Sequence, residues 1–209
     1  MTMPVHVHDG GSFVAAVAMW QAMMVAMMAP VVAPWVTAFA ALAAREGRGR
    51  GRARVAFGGG YFVAWLGYSV AAAFAQFLLQ RRGVLGSGLA LPSHAGALVL
   101  VGAGLFQLTP LKQACLTHCR NPLTYFLQRW HDGPPGGFGV GLRHGLYCVG
   151  CCWALMATAF ALGVMNVAWM AGLVVVMAIE QRVPRGVVIG RLAGVAIAVW
   201  GVVRLVRAG

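Results

Sequence analysis

Carboxylates are nearly missing from this sequence. Asp9, Glu46, Asp132 and Glu180 are the only acids in 209 residues, against 16 lysines and arginines. Hydrolysis by paired carboxylates needs two such groups at a fixed separation, and a hard-cation site needs several oxygen ligands. Acids this few and this scattered exclude both. No serine–histidine–aspartate arrangement and no phosphate-binding loop is present either. Cysteine is missing before residue 115 and after residue 152. Basic residues are missing from the first 12 positions, which argues against a cleaved signal peptide with a charged leading region.

What fills the chain instead is apolar. It is 60% hydrophobic, with a mean hydropathy of +0.78, which fits neither an ordinary soluble globule nor a disordered chain. Crossing the hydrocarbon core takes about 20 mostly apolar residues in a helix. Long apolar runs occupy roughly 13–44, 55–80, 93–111, 138–162, 164–179 and 187–206, separated by glycine-rich and arginine-rich punctuation. Inside a bilayer no water satisfies the backbone, so these runs should be helices, and the alternation of a membrane β-barrel is absent. The expectation is an all-α, polytopic transmembrane helical bundle of about six spans. A polar tail at 1–12 precedes a single transmembrane domain over 13–209. Pro30 and Pro34 are where the long first run should be irregular. Only Gly163 separates the fourth and fifth runs, which predicts a tight antiparallel pair.

The formal charge of +12 does not point to nucleic acid, because the arginine-rich stretch "REGRGRGRAR" at 45–54 lies between two apolar runs and reads as a topology signal. With the N-terminus outside, twelve of the 16 basic residues fall on inner connections, leaving Arg81, Arg82, Arg204 and Arg207 outside. This orientation predicts a cytoplasmic (inner) membrane protein with both termini outside and the cysteine-bearing connection at the cytoplasmic face.

The five cysteines are Cys115, Cys119, Cys148, Cys151 and Cys152. Single membrane cysteines usually serve as small packing residues, but crowding into one connection and its flanking helix ends weakens that reading. Cys115 and Cys119 are four apart, so a helix puts both sulfurs on one face. Cys148, Cys152 and Met156 make a second stripe, with Cys151 one step off it. Facing stripes offer thiolates, the Met156 thioether and the imidazole of His118. Soft sulfur ligands select Cu(I) or zinc, and low coordination favours Cu(I). Zinc remains an alternative, since C-x3-C followed by C-x2-C loosely fits a structural site. A thiol–disulfide enzyme working through Cys148 and Cys151 is the other class of function. Met19, Met23 and Met27 recur every fourth residue, as core or lipid-facing packing or as a thioether relay for copper. His6 and His8, with Asp9, stand in the N-terminal tail as a mobile polar segment or a first metal contact. His131 and His144 lie near the cysteine blocks. Gly190 and Gly194, Gly163, Gly172, Gly102 and Gly104 fit close helix approach, and Asn166 and Gln76 fit interhelical hydrogen bonding.

Four blocks, "MWQAMMVAMMAP" (19–30), "QLTPLKQACLTHCRNP" (107–122), "GLYCVGCCWALM" (145–156) and "GVMNVAWM" (163–170), together resemble a bacterial family of metal-binding integral membrane proteins, some identified as copper chaperones. The resemblance covers about residues 19 to 182 and implies that all five cysteines are metal ligands. It also implies a bilayer setting and a donor or acceptor protein for the metal. The family commonly carries Glu-Lys where this chain has Glu180-Gln181, so any role of that lysine is not transferred.

Overall fold

A computed structural model describes residues 11–45, 49–120, 133–164 and 166–208. Every regular element among them is helical. The helices are α1 (Gly11–Arg45), α2 (Arg50–Arg81), α3 (Ser93–Phe106), α4 (Pro110–Arg120), α5 (Gly133–Ala157), the single turn α6 (Ala159–Leu162), α7 (Val167–Arg182) and α8 (Gly186–Ala208). A 3₁₀ turn at Ser87–Leu89 lies between α2 and α3.

The all-α expectation holds. Among the described residues four helices are long and apolar enough to cross a membrane, or five if the bent pair α3–α4 counts as one span, so six spans are not all accounted for. The expected span over 164–179 becomes α7, with 16 residues. At about 1.5 Å per residue that is about 24 Å, short of a hydrocarbon core of about 30 Å. Nor does α7 lie chiefly along α5, since its main neighbours are α8 and α1. The connection explains this. Helix α5 stops at Ala157, and Gly163 turns the chain with φ +92°, a value that disfavours side-chain-bearing residues. Asn166 then accepts a hydrogen bond from Trp169 N at 3.1 Å as the N-cap of α7. Its role is local rather than the interhelical one expected. Gln76 does bond between helices, accepting from Trp20 Nε1 at 2.8 Å.

Helix α1 runs through both prolines. Pro34 has no N–H, so the Pro30 carbonyl lacks its usual partner within the helix. Arg182 of α7 donates to that carbonyl and, at 3.4 Å, to Val31 O.

Two close packings position the rest. Helix α2 lies against α5 so tightly that a Cβ at Gly141 would collide with Phe57 O, and one at Gly145 would sit 2.7 Å from Tyr61 O. Helix α3 meets α8 where Gly104 and Gly194 oppose each other, as small-residue membrane packing requires. Gly102 and Gly172, expected to share this role, have nothing close to them.

The bend between α3 and α4 is 63°. Pro110 starts α4 at the position where a missing N–H costs nothing, and a residue before proline disfavours helix. Thr109 caps the new helix, its hydroxyl accepting from Lys112 N at 3.3 Å. Helix α4 therefore leaves the axis of α3 and lies against α5.

Candidate metal centre

The cysteine spacing on α4 and α5 becomes a site because of that bend. Cys119 near the end of α4 meets Cys148 and Cys151 in the middle of α5, and the three sulfurs all lie within 4.8 Å of one another, fully buried. Cys152 is buried as well, with its sulfur 3.3 Å from that of Cys151. Cys151 also donates to Cys148 O at 3.2 Å. The stripe expected on α5 was Cys148, Cys152 and Met156, with Cys151 to one side. In the fold Cys151 is one of the three converging sulfurs. Successive helical residues are about 100° apart, so a neighbour packed over the Cys148–Cys151 edge meets those two first.

Cys115 is half-buried and stands apart from this triad. Its sulfur occupies the notch left by Gly150, where a Cβ would come within 2.9 Å of it. His118 is exposed, its ring stacked on Tyr147 at 4.2 Å and its Nδ1 engaged with Ala114 O at 2.9 Å. It braces α4 on α5 instead of joining the triad. Met156 is buried one turn beyond Cys152. On α1, Met27 is buried while Met19 and Met23 are half-buried, and Met24 and Met28 also lie in the core. His6, His8 and His131 fall outside the described residues.

Residues that the sequence did not single out complete the surroundings of Cys148. The Tyr61 hydroxyl of α2 donates to Cys148 Sγ at 3.1 Å, and Gln181 Nε2 of α7 donates to the same sulfur at 3.7 Å. Both donors are buried. Tyr61 reaches the sulfur because glycines let α2 approach α5. Gln181 reaches it because α7 continues to Arg182. The one available signal was its place in the Glu180-Gln181 block. His144, one turn before Cys148, is buried, its ring tilted against Trp35 at 4.2 Å and stacked with Tyr61 at 5.7 Å.

Three successive residues of α7 bind three different helices. Gln181 bonds to α5, and Arg182 bonds to α1. Glu180 forms a buried ion pair with Lys112 of α4 at 2.7 Å, joined by Gln107 Nε2 at 3.3 Å. Gln107 Oε1 accepts a further bond from Lys112 Nζ. Arg120 then donates to the carbonyls of Glu180, Val183 and Pro184, filling orphan acceptors at the C-terminus of α7. The two helices carrying the sulfurs are thus held in register from the third.

The donor set is soft. Three converging thiols are buried, and among the described residues the one carboxylate, that of Glu180, is engaged by Lys112. Such a set fits a monovalent thiophilic ion better than a hard one. No curated protein and no solved structure matches the chain. The model of the copper chaperone family PpoB2 matches residues 17–204, and the chain belongs to that family.

Proposed function

We propose that this protein is an integral membrane protein that holds Cu(I) at the buried sulfurs of Cys119, Cys148 and Cys151 and delivers it to a partner protein. The observation that carries this reading is the convergence of three thiols, from two helices separated in sequence, to within 4.8 Å in a buried position. Membership of a copper chaperone family supports copper over zinc. A three-sulfur set suits Cu(I), whereas structural zinc takes four ligands. Cys115, half-buried and one turn from Cys119, is the sulfur through which the ion would enter or leave. The long apolar helices support insertion in a lipid bilayer, and the basic asymmetry supports a bacterial inner membrane with both termini outside.

The burial that suits a held ion works against thiol–disulfide exchange, which needs an attacking thiol open to its substrate. Cu(I) titration of the reduced, detergent-purified chain against a chromophoric chelator tests the reading. The wild type should retain Cu(I) against the chelator, and Cys119→Ser with Cys148→Ser should lose tight binding. Retention unchanged in that double variant would remove the assignment.

A further inference from the structure

A three-sulfur site leaves one buried thiol without a use. Cys152 is as buried as its neighbours, and it is not confined to the far side of α5, because its sulfur lies 3.3 Å from that of Cys151. Cys151 links the group, its sulfur lying within 4.8 Å of those of Cys119 and Cys148 and 3.3 Å from that of Cys152. The four sulfurs therefore form one continuous patch rather than a triad and a bystander. Metal–thiolate bonds of about 2.3 Å would place sulfurs around a three-coordinate ion about 4 Å apart, within the 4.8 Å that encloses the triad.

Resting on the Cu(I) reading above, we propose that the centre takes two Cu(I) ions, the second held by Cys152 and sharing Cys148 and Cys151 with the first as bridging sulfurs. Charge does not oppose this stoichiometry. The first ion, bound by three thiolates, leaves excess negative charge in a buried site, where uncompensated charge is expensive. The second ion adds one positive charge, and Cys152 loses one proton as its sulfur–metal bond forms. Copper stays Cu(I), the proton leaves to solvent, and the net charge of the site is unchanged. The second ion thus enters without adding to the buried charge. A bridging sulfur must share its electron density between two ions. The donors around the patch meet at Cys148, where Tyr61 and Gln181 both point their hydrogens, and outer donors of this kind tune metal-bound ligands.

The test is Cu(I) titration of the reduced full-length protein in detergent, with X-ray absorption on the loaded sample. Two equivalents retained per chain, with a copper–copper scattering shell, is the expected result. Cys152→Ser should fall to one equivalent and lose that shell. Wild-type saturation at one equivalent with no copper–copper shell would overturn the two-ion centre and leave the three-sulfur site standing. A wild type that retains no Cu(I) would overturn both. Two equivalents with the shell intact in Cys152→Ser would overturn the role given to Cys152. Should that variant not fold, the wild-type stoichiometry and scattering decide alone.

Discussion

Tyr61→Phe removes one oxygen and leaves the ring, and the effect can be worked from a single contact. The hydroxyl donates to Cys148 Sγ at 3.1 Å in a fully buried setting, so no water replaces it. If Cys148 is a thiol before metal binds, such a bond contributes about 0.5–1.5 kcal/mol. With metal the acceptor is a thiolate, and a bond to a charged group contributes about 1.5–3 kcal/mol. Only the difference changes affinity. That difference is about 1–2 kcal/mol, so Cu(I) should bind about 5- to 30-fold more weakly in the variant. This overlaps the lower part of the 10- to 100-fold range typical of outer-shell partners of metal ligands. The fold should survive, because the ring keeps its edge contact with Phe62 at 5.2 Å and its stacking with His144 at 5.7 Å. Chelator competition measures the affinity, and thermal unfolding in detergent measures the fold. An affinity within twofold of wild type, in a protein of unchanged stability, would refute the idea that Tyr61 acts through Cys148.

Two further outcomes are expected. Glu180→Gln strands the buried Lys112 charge and should cost about 3–5 kcal/mol, whereas Lys112→Met with Glu180→Leu removes both charges and should be near neutral. Thermal unfolding of the two variants checks this, and equal losses in both would show that the ion pair is not what holds α4 to α7. Topology reporters should place Arg50 in the cytoplasm and the C-terminus outside, as twelve of 16 basic residues require. An external signal from Arg50 would reverse the orientation and put the cysteines on the oxidising side.

Composition and period were enough for the helical class and for most helix positions. Apolar runs of span length have one backbone solution in a bilayer, and punctuation by glycine and arginine marks their ends. Run length alone says nothing of where a chain turns. Here α7 begins only at Val167, after the turn at Gly163 and the Asn166 cap, and runs past the end of the apolar run at 164–179 to Arg182. The cysteine cluster was equally legible as a candidate site, since five cysteines in one stretch of such a chain are hard to explain as packing. His118 was not legible in the same way. Its position beside Cys119 suggested a ligand, but the helix turns its ring onto Tyr147.

The sequence by itself determined the chemistry on offer, soft sulfur in an apolar chain with almost no acid, because composition sets which ligands exist. Tertiary structure decided which of them meet. The bend at Pro110 swings α4 onto α5 and selects Cys119, Cys148 and Cys151 from the five. The glycines of α5 admit Tyr61, and the end of α7 supplies Gln181. Tyr61 and Gln181 lie 87 and 33 residues from Cys148. No spacing rule within one helix reaches across such separations; only the packing of one helix on another closes them.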